Sequence, residues 1–323
     1  MGGRRTRWAI ALSVALAIGV AVGLGLYADF GKLGDALAGF RWELFPAALA
    51  LTGLGYALRF ARWQVYLGRL GIEVPARRSA VIFLAGFAMT LSPGKVGEVL
   101  KSVLLRRAYA TPVTRSAPVV LAERVTDVLG TVAVGGIAMV WAGAGSRWPL
   151  VVAGLAVAGG VVAALRLPLP ARLARVRAAR EAALDLHTPL LLLGTSLMAT
   201  AAWACEAGAA ILCVKGLGLD ASAASAAVAY ALGNLAGSLS FLPGGLGVAE
   251  TSMTGLLRAL SGVPAAGAAA ATVLIRLATL WFAVAIGLAA LGAEELLARR
   301  DAQAGRVPPA AADGPGGEAA GAP

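Results

Sequence analysis

Residues Leu91–Lys101 read LSPGKVGEVLK, and they end an apolar run, SAVIFLAGFAMT (79–90), with a proline, two glycines and three charges. Hydrocarbon offers no water to backbone groups freed by Pro93, and uncompensated charges such as Lys95, Glu98 and Lys101 are expensive there. A chain that carries this stretch into a bilayer must gain something from it. How the stretch is read decides the fold, because it either crosses the membrane as one kinked helix or dips in and returns.

The membrane setting follows from the rest of the chain. Of 323 residues, 59% are hydrophobic and only 14% are charged, and the apolar residues come in long blocks. That is the composition of a polytopic membrane protein. The net charge of +11 could suggest nucleic acid, but the basic residues sit between apolar blocks, so we read them as a topology signal and expect no nucleic-acid partner. With one histidine, His187, and two cysteines, Cys205 and Cys213, inside one apolar segment, no metal cluster, cofactor or catalytic pair is expected, and His187 reads as structural.

Six runs are long enough for a hydrocarbon core of about 30 Å: roughly 8–27, 43–61, 115–143, 148–165, 188–214 and 264–292. The first follows Arg4, Arg5 and Arg7 and competes with a cleaved signal peptide; its length favours a retained anchor. Between two runs, RLPLPARLARVRAAREAALDLH (166–187) places Leu169, Leu173, Val176 and Leu184 near one stripe, as in an interfacial helix. From about Ala298 the Ala-, Gly- and Pro-rich sequence predicts a disordered tail, so the membrane domain is expected to cover 1–297 and the tail 298–323.

Two segments are not simple spans. Residues 79–92 are too short to cross before the Pro-Gly break, and 96–107 are shorter still. A crossing would leave Arg77 and Arg78 on one side and Arg106, Arg107 and Arg115 on the other, whereas a hairpin keeps them together. With a hairpin, 21 of the 28 Lys and Arg residues fall in the N-terminus, the 59–78 link, the first hairpin, the 166–180 link and the tail. Five (Lys32, Arg41, Arg147, Lys215, Arg258) fall opposite, and Arg124 and Arg276 lie inside spans. The positive-inside rule then puts both termini in the cytoplasm.

The second irregular segment, 222–260, contains FLPGGLGVAE (241–250). Pro243, Gly244 and Gly247 repeat Pro93, Gly94 and Gly97 at an offset of 150. After a two-residue insertion an offset of 152 relates Glu98 to Glu250, Pro112 to Pro264 and Arg124 to Arg276. Three spans separate the copies, whose cores cover about 79–143 and 222–292, so the two hairpins would enter from opposite faces as an inverted repeat. The expected fold is therefore all-α, a helical bundle of about six spans plus two re-entrant broken-helix hairpins.

A half-helix starting after Gly97 would present unpaired N–H groups and a positive dipole end inside the membrane, with Lys95 adding a full charge: an anion site. Gly94 and Gly97, like Gly244, Gly245 and Gly247, would admit a headgroup close to the backbone. The bland alternative is self-satisfaction, with Glu98 complementing the dipole and Glu250 serving Arg276. In APVVLAERVTDVLG (117–130), Glu123 and Asp127 share a helix face and Arg124 reaches Asp127 at i+3, so a local ion pair competes with a ligand site. Arg276, in ATVLIRLATLWF (271–282), has no acid near it in sequence, and Glu206, in TAAWACEAG (200–208), is a lone intramembrane acid.

These motifs, PGKVGE, then ER-x-x-D, then LPGGLG-x-x-E, then a late intramembrane arginine, resemble the transmembrane flippase-like region of lysylphosphatidylglycerol synthase proteins over about residues 8–296. The resemblance implies a helical bundle with two re-entrant hairpins that moves a lipid with a charged headgroup between leaflets, and it carries no enzyme activity of its own. It maps functional residues onto Pro93, Gly94, Gly97, Glu98, Lys101, Glu123, Arg124, Asp127, Pro243, Gly244, Gly245, Gly247, Glu250 and Arg276; Lys95 and Glu206 join them from the reading of the residues. Two-domain synthases continue into a soluble aminoacyl-transfer domain, and with only a short tail here no aminoacyl transfer is expected. Three functions stay open: a flippase for an anionic phospholipid or polyprenyl-phosphate-type lipid, a secondary transporter of a small organic anion, and a non-transporting subunit partnering a cell-envelope lipid or glycolipid enzyme.

The charge asymmetry predicts that both termini, the 166–180 link and the mouth of the first hairpin face the cytoplasm, with the second mouth outside. Single cysteines at positions 78, 107, 218 and 262 in a Cys-free background check this with membrane-impermeant labelling. Positions 78 and 107 should react from one side, and opposite sides would restore the crossing helix.

Overall fold

The computed structural model describes residues 29–92, 99–143 and 183–303, with isolated positions before residue 29 and at 181. Every regular element among the described residues is helical. In chain order these are α1 (Phe30–Ala38), α2 (Phe45–Arg69), α3 (Ala76–Ala85), α4 (Leu100–Tyr109), α5 (Val113–Trp141), α6 (Pro189–Gly216), α7 (Ala223–Leu239), α8 (Val248–Ser261), α9 (Ala265–Arg276) and α10 (Phe282–Gln303). Short 3-10 turns at Trp42–Leu44, Gly86–Met89 and Pro243–Gly245 lead into α2, continue α3 and interrupt α7 and α8.

Among the described residues, three helices are long and apolar enough to cross a membrane: Trp42–Arg69, Pro189–Gly216 and Ala265–Asp301. Helix α5, at 29 residues, has the length but holds Glu123, Arg124 and Asp127 in its interior. Apart from isolated positions in the first, the expected runs at 8–27 and 148–165 lie outside the described residues, as does most of the 166–187 segment. Its last residues, Leu186 and His187, are buried, and His187 Nδ1 lies 2.6 Å from the Ala183 carbonyl oxygen.

Two boundaries differ from the sequence expectation. Helix α2 runs on to Arg69, so Arg59 and Arg62, assigned above to the 59–78 link, lie inside a helix. Neither ends the helix, because each finds a carboxylate on another helix. At the other end α10 continues past residue 298 to Gln303, where Asp301 is held by Arg78 (3.2 Å). The remaining tail, 304–323, lies outside the described residues. Sequence reading also passed over α1, a single short amphipathic helix capped by Asp29 and packed on α9.

The long helices pack through small residues, which is how helices approach closely without water to drive them together. At Gly130 of α5 an added Cβ would stand 2.9 Å from the backbone of Ala199 and Thr200 on α6. At Gly55 of α2 it would stand 3.1 Å from the Ala202 carbonyl. The core they enclose is rich in alanine, including Ala226, Ala227, Ala229 and Ala231 of α7 and Ala268 and Ala271 of α9.

Two broken pairs complete the bundle. In the second, α7 (17 residues) and α8 (14 residues) are about 26 and 21 Å long, each short of a full span. They close tightly because Gly233 and Gly237 of α7 face Met253, Ala249 and Gly245. In the first pair, α3 and its 3-10 turn lead to Ser92, and α4 follows. Its floor is α10, where Gly287 receives the backbone of Phe87 and Ala88 directly. Ion pairs from Arg78 to Glu294 (3.0 Å) and from Arg107 to Glu295 (2.6 Å) tie the base of this pair to the end of α10.

The two halves also end alike. Helix α4 closes on Ala110 (φ 52°), whose N–H returns to the Arg106 carbonyl, and Pro112 caps α5. Helix α8 closes on Gly262 (φ 66°), whose N–H returns to the Arg258 carbonyl, and Pro264 caps α9. All three positions are related by the 152-residue offset read from the sequence.

Gly287→Ala should destabilise the protein by about 1–3 kcal/mol through overpacking against the Phe87–Ala88 backbone. Gly292→Ala, where nothing lies within 4 Å of an added Cβ, is the matched control and should be neutral or slightly stabilising. Thermal melting of both variants in detergent checks this; equal melting temperatures would refute the seat.

Candidate functional site

The second break is built by left-handed backbone. Gly244 (φ 61°), Gly245 (φ 67°) and Gly247 (φ 87°) adopt conformations that side-chain-bearing residues rarely take, and Pro243 removes a donor at the break. Helix α8 therefore begins inside the bundle, where its first N–H groups have no preceding helical turn to bond. Glu250 Oε2 accepts the Gly247 N–H (2.6 Å), while its Oε1 pairs with Arg276 Nε (2.6 Å). Arg276 Nη2 in turn donates to the Gly244 carbonyl (2.7 Å). One arginine and one carboxylate thus satisfy both the helix start and the carbonyl the break sets free. Glu250 and Arg276 are both buried.

Arg276 is also where α9 widens into a π-turn (Leu277–Trp281) before α10. In that wider turn the Thr279 carbonyl accepts from the Tyr56 hydroxyl (2.8 Å), which ties the junction of α9 and α10 to α2.

The first break, with Pro93, Gly94, Lys95, Gly97 and Glu98, lies outside the described residues. The flanking elements place its partners. Lys101 on α4 is buried against Glu123 of α5, its stem running over Gly86 and its ammonium 4.7 Å from the Trp63 ring centroid. Arg124 pairs with Asp127 (3.1 Å), as the i+3 spacing suggested. Leu91, near the end of the first pair, comes against Gly244 of the second. The described end of the first pair therefore reaches the second break.

A central cavity of about 100 Å³ lies among α2, α5, α6, α7 and the second break. Lys101, Glu123, Arg124, Asp127, Glu206, Gly244, Gly245 and Arg276 all line it, so one space gathers the ER-x-x-D set, the second Pro-Gly break with Arg276, and the lone acid on α6. Pro243, Gly247 and Glu250 are not among its lining residues, and Glu250 reaches it through Arg276.

Two lining cations escaped sequence reading. Arg62 of α2, almost wholly buried, donates to Asp127 Oδ1 (2.8 Å) and to Thr126 Oγ1 (2.9 Å). Arg59, one turn earlier, pairs with Glu206 (2.8 Å) and lies over the Trp203 ring, 4.6 Å from its centroid. Glu206 also accepts from the Tyr230 hydroxyl of α7. The available signal was Tyr56, Arg59, Arg62, Trp63 and Tyr66, which recur at helical spacing on one face of α2.

Five cations (Arg59, Arg62, Lys101, Arg124, Arg276) and three carboxylates (Glu123, Asp127, Glu206) are among the described lining residues. Counting Glu250 behind Arg276, the described site remains cationic. In a low-dielectric surround such a space favours an anion.

Comparison with known families decides what kind of chain carries this cavity. The profile of the family described as the lysylphosphatidylglycerol synthase TM region matches residues 10–287. The chain belongs to that family. As a lysylphosphatidylglycerol synthase TM region protein it is a membrane protein of lipid-related type, and the matched segment includes every cavity-lining residue named here. No curated protein matches the chain.

Arg276→Gln should leave Glu250 buried without its partner and destabilise the protein by about 3–5 kcal/mol, seen as a lower melting temperature and lower accumulation in membranes. The double variant Glu250→Gln with Arg276→Gln should recover most of that loss, since a Gln at 250 still accepts the Gly247 N–H. A double-mutant cycle on purified protein checks this, and additive losses would show that the two side chains act independently.

Proposed function

We propose that this chain moves a lipid with an anionic headgroup, a phospholipid or polyprenyl phosphate, between the leaflets of the cell's inner membrane. The observation that carries the reading is the cationic cavity lined by the second break and by Lys101, Glu123, Arg124 and Asp127. The tip of the second pair adds a route for the tails. Leu239, Phe241 and Leu242 are exposed apolar residues next to Gly244 and Gly245, so a headgroup entering the cavity there leaves its acyl chains against lipid-facing side chains.

The corresponding caps at Ala110 and Gly262, and the paired arginines at 124 and 276, support an inverted repeat whose halves expose one phosphate site alternately to the two leaflets. In this reading both pairs are re-entrant, the termini are cytoplasmic, and the activity is transport without covalent chemistry. Arg276 holds the second break in shape, while Arg124, with about a third of its side chain exposed, faces the cargo.

A small soluble anion would use the same charges, so the test has to separate the two. Proteoliposomes should accelerate leaflet exchange of fluorescent phosphatidylglycerol or a short-chain polyprenyl phosphate. Arg124→Gln should cut the rate at least about tenfold, the effect of one lost charge-assisted hydrogen bond. That variant should fold, because Asp127 keeps Arg62. Equal rates in wild type, variant and protein-free vesicles would sink the flippase reading. Movement of an organic anion without lipid exchange would replace it by the transporter.

A further inference from the structure

The guanidinium of Arg59 is used on one side only. Its Nη1 pairs with Glu206, and its plane is held over Trp203. The opposite edge, Nε with Nη2, is buried and has no hydrogen-bond partner. Those two N–H groups point in parallel along one edge of the plane, which is the fork that matches two oxygens of a phosphate or carboxylate. The Trp203 indole Nε1, on a residue that is only 8% exposed, is likewise buried without a partner.

Buried donors are nearly always satisfied, and an unsatisfied charged donor is expensive in a low-dielectric interior. Three of them on two side chains in ring contact, both lining the central cavity, call for an acceptor with several oxygens. The surroundings preserve the fork for it. Glu206 is shared between Arg59 and Tyr230, which fixes the carboxylate on the Nη1 side, and the indole face restrains the guanidinium plane. Arg276 offers no such edge, because its Nε and Nη2 already serve Glu250 and Gly244.

We propose that the Nε–Nη2 edge of Arg59, stacked on Trp203, is the seat of a phosphate group, monoester or diester, with the Trp203 indole N–H as a further donor. The inference deepens the transport reading and rests on the same cavity. It assigns the phosphate's main contact to α2, a helix that carries neither of the duplicated motifs.

The test is calorimetric titration of the purified full chain in detergent with two probes, dihexanoyl phosphatidylglycerol and inorganic phosphate. Arg59→Lys keeps a cation for Glu206 but has no planar fork, and it should weaken probe binding at least about tenfold. Trp203→Phe keeps a ring beneath Arg59 but removes the donor, and it should weaken binding about three- to tenfold with an unchanged melting temperature. If Arg59→Lys fails to fold, Trp203→Phe decides alone. Weakening confined to the phosphatidylglycerol probe supports the seat and names a lipid headgroup; weakening confined to inorganic phosphate supports it and names a soluble oxyanion. Wild-type affinity for both probes in the variants, or no binding of either probe by wild type, overturns the seat. Leaflet exchange measured on the same preparations separates the two proposals: variants that lose binding while wild type exchanges no lipid leave the seat standing and remove the transport reading. Unchanged binding in the variants with active exchange does the reverse.

Discussion

The pairing of Glu250 with Arg276 is what allows a helix to break in the middle of this bundle. Away from water, a broken helix leaves N–H groups on one side and carbonyls on the other with nowhere to turn. Here Glu250 takes the Gly247 N–H, Arg276 takes the Gly244 carbonyl, and the two charges neutralise each other at 2.6 Å. Much of the architecture follows from that arrangement. The left-handed glycines let the chain turn, Gly233 and Gly237 let α8 return against α7, and the π-turn after Arg276 directs α10 under the first broken pair.

Charge in this cavity is organised in layers. Glu123 answers Lys101, Asp127 answers both Arg62 and Arg124, and Glu206 answers Arg59. The carboxylates lower the cost of burying the cations without cancelling the set, so positive character survives in the cavity beside the second break. Such pairs are weak sources of stability, because desolvation offsets much of their attraction. Their value lies in holding several cations in fixed geometry around one space.

Much of this was legible in the sequence, for identifiable reasons. Long apolar runs marked α2, α5, α6 and the α9–α10 helix, because span length is dictated by bilayer thickness. The second Pro-Gly cluster marked its break, and the lack of an acidic neighbour for Arg276 pointed to a distant partner, which is Glu250. The pairing of Arg124 with Asp127 followed from helical spacing. What escaped was Arg59 and Arg62. Hydropathy treats arginine as the end of a span, and nothing local in α2 shows that Glu206 and Asp127, 147 and 65 residues away, neutralise them. Helix α1 escaped because nine residues are too few for a periodicity to stand out. The end of α10 was set short because Arg78, which holds Asp301, comes from the opposite end of the chain.

The central claim is that this cavity holds an anionic headgroup. Native mass spectrometry of the protein released from nanodiscs made of mixed phosphatidylethanolamine and phosphatidylglycerol tests it most directly. The account predicts that the last lipid retained as collision energy rises is anionic, and that its retention exceeds its share of the bulk bilayer. Retained lipids that match the bulk composition at every energy would contradict it.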